Sequence, residues 1–118
     1  MSDKQNIDSA HERRPFKEHG HVDVVTLEGG FTLGRGVFEP GWQWSNDVKP
    51  IAGTDSCQTH HTGFCESGQM TIRFDDGSEL TIGPGDVVDI DPGHDAWTLG
   101  DEPCVLLDTG VAAYARPS

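Results

Sequence analysis

Cys57 and His61 are the residues of this chain whose types and spacing point most directly to chemistry. Alternate side chains of an extended segment share a face. Across residues 54–62, Asp55, Cys57, Thr59 and His61 therefore point one way, and Ser56, Gln58 and His60 the other. A thiolate and an imidazole both offer lone pairs to a metal ion. His61 can also move protons near neutral pH, which makes it the candidate general acid-base. Cys57 is a candidate nucleophile, with His61 as the only neighbour able to stabilise its thiolate. After Pro92-Gly93, His94 and Ala96 share a second face that can meet the first across the mouth of a small barrel. The candidate metal set is then Cys57, His61 and His94, with Asp55 as a fourth donor or a group that orients a ligand. Trp42 and Trp44 have equal parity after Pro40-Gly41 and either wall a small-molecule pocket or close a barrel end.

Each of these residues also has a structural reading. Cys57 is a small apolar side chain suited to a core. His61 can be a core histidine satisfied by the backbone, and His94 can hydrogen-bond the turn that precedes it. His60 falls on the opposite face, toward solvent or a subunit contact, and Trp97 has opposite parity to Ala96, which places it under the rim. His19-Gly20-His21 lacks a third ligand.

The elements that must position these groups read as strands. Residues 69–74 alternate Met70, Ile72 and Phe74 with polar partners, Asp76-Gly77 supplies a hairpin turn, and Leu80 and Ile82 resume the inward face. Gly83-Pro84-Gly85-Asp86 is a second tight turn. Further strands are expected at 22–27, 31–39, 54–62, 87–91, 96–99 and 104–109, and no segment carries a helical stripe. The total of about eight or nine closes a small barrel or pairs into a two-sheet jelly roll. The fold class is all-β.

Length and charge bound the remainder. The 118 residues suit one domain, with residues 1–20 as a flexible arm or an added edge segment and residues 21–118 as the barrel. Eight basic against 20 acidic residues give a net charge of -12, which disfavours nucleic acid and anionic membrane surfaces as partners. Apolar runs are far shorter than the roughly 20 residues of a membrane span, and the polar start lacks a signal-peptide pattern, so a soluble cytoplasmic protein is expected. Cys57, Cys65 and Cys104 are odd in number and form no CxxC pair, which argues against a disulfide framework.

Three stretches resemble the cupin superfamily, in particular its small single-domain members: Pro40-Gly41-Trp42-Gln43-Trp44-Ser45, Gly83-Pro84-Gly85-Asp86-Val87 and Pro92-Gly93-His94-Asp95-Ala96-Trp97. The resemblance runs over residues 22–107 and implies a short jelly-roll β-barrel, frequently a homodimer, that binds or converts a small molecule and often holds a divalent metal. The family's first motif, anchored on Gly68, sets its glutamate position on His61 and its histidine positions on Asp55 and Cys57, or on Thr54 and Ser56 with the longer spacing. In the second motif Gly85 and Gly93 fit, while Asp91, Ala96 and Gly100 stand where proline, histidine and asparagine are usual. Ala96 cannot bind a metal. Two outcomes follow. Either Cys57, His61, His94 and Asp55 hold one ion, zinc or iron given their softer donors, or the barrel is metal-free and these groups orient a small ligand. A dimerising module without catalysis is a third class, disfavoured by the cost of burying polar groups without partners.

Overall fold

The computed structural model describes residues 2–110. Nine strands form two antiparallel sheets among the described residues. In chain order these are β1 (Glu12–Pro15), β2 (Gly20–Thr26), β3 (Thr32–Phe38), β4 (His61–Ser67), β5 (Gln69–Phe74), β6 (Glu79–Ile82), β7 (Val87–Ile90), β8 (His94–Leu99) and β9 (Cys104–Asp108). The larger sheet has the order β1-β2-β3-β9-β4-β7, and the smaller β6-β5-β8. Among the described residues no helix is long and apolar enough to cross a membrane.

Period-two burial sets which side chains face inward. On β8 these are His94, Ala96 and Thr98, on β9 Cys104, Leu106 and Asp108, and on β7 Val88 and Ile90. Phe38, Ile72, Val22, Cys65 and Cys104 are among the most deeply buried. Phe38 stacks on Phe16 at 5.3 Å and meets the edge of Trp42 at 4.6 Å. Each such side chain contributes roughly 1.5–3 kcal/mol through burial, so this aromatic group braces the wall that carries Trp42.

The Gly83-Pro84-Gly85-Asp86 turn forms as its sequence requires. Asp86 N–H donates to the Gly83 carbonyl at 3.1 Å, and Gly85 has φ 90°, open to glycine at little cost. The β5–β6 hairpin also forms, although only Gly77, and not Asp76, takes a positive φ.

Two expectations are corrected, and two regions take a form that the sequence pattern left open. Residues 54–62 are not a strand, because β4 begins only at His61. Gly53, after the helical turn at residues 49–52, takes the left-handed conformation, and Thr54 Oγ1 then donates to the Ser56 carbonyl at 2.8 Å, which bends the chain out of extension. Residues 44–52 hold two single helical turns, α1 (Trp44–Asp47) and α2 (Lys49–Ala52), each too short to leave a periodic stripe. Leu80 keeps the parity of Ile82 but is 42% exposed, since β6 lies at the open edge of the smaller sheet. Within the N-terminal segment, expected as a flexible arm or an added edge segment, residues 12–15 form the edge strand β1, paired with β2 and tied by Arg13 Nε to Asp23 Oδ1 at 2.7 Å. The expected end of the barrel domain, residues 111–118, lies outside the described residues.

Candidate metal centre

Four elements converge at one end of the space between the sheets. His61 opens β4, His94 opens β8, Asp108 ends β9, and Cys57 comes from the irregular segment before β4. Cys57 is nevertheless fixed. Its N–H donates to the His94 carbonyl at 2.7 Å and its own carbonyl accepts from Gly93 N–H at 2.7 Å, which clips it to the start of β8. Cys57, His61 and His94 are 2%, 5% and 4% exposed.

The two imidazoles are oriented in the same sense. His61 Nδ1 lies 2.6 Å from Asp108 Oδ2, and His94 Nδ1 lies 2.8 Å from the Asp91 carbonyl oxygen. Both partners accept, so both Nδ1 atoms carry the hydrogen and both Nε2 atoms are left for the cavity. Asp108 is itself held, because its Oδ1 accepts from Gly110 N–H at 2.7 Å. This is the arrangement in which an outer carboxylate or carbonyl fixes the tautomer of a ligating histidine.

His61 Nε2 stands 3.4 Å from Cys57 Sγ, and His94 also hydrogen-bonds that sulfur. The ligand atoms of Cys57, His61 and His94 all lie within 4.8 Å of one another. At the usual Zn–S and Zn–N lengths, two ligands of a tetrahedral zinc are separated by about 3.5 Å. The 3.4 Å between Cys57 Sγ and His61 Nε2 matches that separation. Burial opposes charge on both groups, but hydrogen bonds from His61 and His94 outweigh it for Cys57 and lower its thiol to about 6. For His61 the bonds to Asp108 and Cys57 outweigh burial and raise the imidazole to about 9. Without an ion, both shifts favour the charged forms of the two partners.

These groups edge a cavity of about 20 Å³, otherwise walled by Phe38, Met70, Ile72, Ile90, Ala96, Leu106 and the two tryptophans. Such a volume holds about one water-sized guest. Trp42 and Trp44 are each 3% exposed, and among the described residues neither indole N–H has a hydrogen-bond partner. A buried donor left unpaired costs about 1–3 kcal/mol, so two are a notable expense for a small fold. Backbone anchors hold both in place: Thr98 N–H donates to the Trp42 carbonyl at 3.0 Å, and Ser45 N–H donates to Asp95 Oδ1 at 3.0 Å beside Trp44.

The structure thus brings together Cys57, His61, His94, Trp42 and Trp44, but not Asp55. Asp55 is fully exposed, 3.9 Å from Lys49 Nζ, because the segment containing it does not keep strand parity with Cys57. His60 is exposed and pairs with Asp89. His19 and His21 face different carboxylates, Asp47 and Asp23. Trp97 is half-buried and points away from the face of Ala96. Asp108 is not among the residues that spacing singles out, although its parity with Cys104 and Leu106 marks it as an inward-facing carboxylate.

Comparison with protein-family models and with curated proteins found no match. Solved structures do match. A protein of unknown function from Rhizobium leguminosarum bv. viciae superposes with a TM-score of 0.62 at 18% identity, over 92% of this chain and 94% of that one. A cupin-like protein from Thermotoga maritima gives 0.56 at 20% identity, over 91% and 79%. The polyketide cyclase RemF from Streptomyces resistomycificus gives 0.62 at 18% identity, over 92% and 78%. The chain has the double-stranded β-helix of the cupin fold. Fold does not fix function, so the reaction must be argued from the site.

Proposed function

We propose that this cupin-fold chain holds one divalent metal ion through Cys57 Sγ, His61 Nε2 and His94 Nε2, and acts on a small ligand at that ion. The observation that carries the reading is the paired orientation of the imidazoles: each Nδ1 is tied outward to an acceptor, so both Nε2 atoms converge with a buried sulfur. One thiolate and two imidazoles suit zinc first and ferrous iron second. Three protein ligands are also the number that leaves a position open for a reacting group. When bound, the ion would serve as a Lewis acid toward an oxygen of the small ligand. In this reading Cys57 and His61 are ligands, and Asp108 is a positioning residue that acts through His61.

A metal-free reading has its own support, since Cys57, His61 and Asp108 are arranged as a nucleophile, a base and an orienting acid. Size supports the ion over an acyl-transfer site. Cys57 is 2% exposed on a cavity of about 20 Å³, which does not admit an acyl substrate to the sulfur. An ion needs no more room than the cavity has.

The test is element analysis of untagged protein, with Cys57→Ser and His94→Ala as controls. About one equivalent of zinc or iron in the wild type, and a loss in both variants, is the expected result. Wild-type protein that takes up no ion from micromolar zinc refutes the reading.

A further inference from the structure

We infer that the ion-free protein reacts with hydrogen peroxide at Cys57, which becomes a sulfenic acid with His61 as the proton carrier; the step needs no metal, and only its effect on ion binding rests on the reading above. Three features point to this oxidant. The sulfur has a base beside it: Cys57 Sγ and His61 Nε2 are 3.4 Å apart, and His61 Nδ1 is tied to Asp108, so the Nε2 lone pair faces the thiol. Nucleophile, base and orienting carboxylate then stand in sequence. Size selects the electrophile. A single water needs about 10–15 Å³ of cavity, and this one offers about 20 Å³. Hydrogen peroxide is one oxygen longer than water and fits, whereas an alkyl hydroperoxide or an organic disulfide does not. The product is also shielded. Neither Cys65 nor Cys104 lines the cavity, so no second thiol is placed to condense with the sulfenic acid.

The step balances without a cofactor. Cys57 Sγ attacks one peroxide oxygen, a sulfur–oxygen bond forms and the oxygen–oxygen bond breaks. The thiol proton passes through His61 Nε2 to the departing oxygen, which leaves as water. Sulfur gives up two electrons and peroxide takes them. The oxygen that stays on sulfur occupies the space an ion requires, so oxidation and metal binding exclude each other at this cavity.

The experiment treats chelator-stripped, full-length protein with hydrogen peroxide, denatures it in dimedone, which captures sulfenic acids, and locates the adduct by peptide mass mapping. Capture at Cys57, with Cys65 and Cys104 still thiols, is the expected result. tert-Butyl hydroperoxide at equal concentration should leave Cys57 unmodified, a comparison that needs no variant. His61→Gln should slow the capture about 10-fold or more, as for loss of an acid-base group, with Cys65 and Cys104 still resistant to iodoacetamide as the sign that the variant is folded. Cys57 no faster than Cys65 and Cys104, oxygen found only on the Met70 thioether that shares the cavity, equal reaction with the two peroxides, or an unchanged rate in folded His61→Gln each overturns the inference. All of these leave zinc uptake by fresh protein untouched. Conversely, wild-type protein that takes up no zinc yet is captured at Cys57 overturns the metal reading alone.

Discussion

Asp108→Asn tests the orientation argument most directly, since it changes one atom of a buried side chain. Both carboxylate oxygens of Asp108 accept: Oδ2 from His61 Nδ1 at 2.6 Å and Oδ1 from Gly110 N–H at 2.7 Å. Asparagine has one acceptor and cannot serve both. If its oxygen stays with His61, its NH₂ confronts the Gly110 N–H and leaves that buried donor unpaired, which costs about 1–3 kcal/mol of stability. If it turns over, its NH₂ donates to His61 Nδ1, the hydrogen moves to Nε2, and the lone pair needed by the ion is gone. Either way the histidine is a poorer ligand. Loss of such an outer partner typically lowers metal affinity about 10–100-fold, equivalent to about 1.4–2.7 kcal/mol. A competition titration against a chromophoric zinc chelator measures this, with His61→Ala defining complete loss of the ligand. Zinc affinity of Asp108→Asn within twofold of the wild type would refute the reasoning.

Further outcomes follow from neighbouring features. Gly110→Ala should lower thermal stability by about 1–3 kcal/mol, because its Cβ would fall 2.8 Å from both His61 Nδ1 and the His60 carbonyl oxygen; differential scanning calorimetry of the metal-free protein reads this. Cys65 and Cys104 are buried with their sulfurs 3.9 Å apart, and burial pushes both thiols above the ordinary value. Iodoacetamide should leave both unlabelled in the native protein and label both in denaturant, as read by peptide mass mapping. Burial raises the Asp23 carboxyl, but Arg13, His21 and Arg35 together outweigh it and hold the group below its usual range. The stability from Asp23 is therefore complete above its unfolded value near 4 and is lost as pH falls through its lower folded value. Arg13→Ala should flatten the fall in melting temperature over that acidic window, and an unchanged slope counts against the assignment.

Much of this architecture was written in local pattern. The alternation of Met70 and Ile72, the turn glycines Gly77 and Gly85, and the shared parity of His94 and Ala96 all survive in the fold, because each is set by steric rules acting over a few residues. Cys57 and His61 also meet as their spacing suggests, but for another reason. The segment between them is irregular, and it is the backbone bridge from Cys57 to His94 that turns the sulfur inward. Asp55 shows the cost of assuming continuous extension: once the chain bends near Ser56, parity carries no information. Asp108 was readable in principle, yet its partner lies 47 residues away in sequence, a separation no local rule spans. The turns α1 and α2 are held by contacts such as Asp95 to Ser45 N–H, which local propensity does not encode.

The bridge between Cys57 and His94 has a last consequence. His61 and Asp108 belong to the larger sheet and His94 to the smaller, so an ion seated here rivets the two layers together at a point where few backbone bonds cross. Whatever binds the assembled layers and ignores the open chain adds to the work of prying them apart, by about 4 kcal/mol when its free concentration is a thousand times its Kd. The endurance of this small acidic protein would then follow the metal supply of its surroundings.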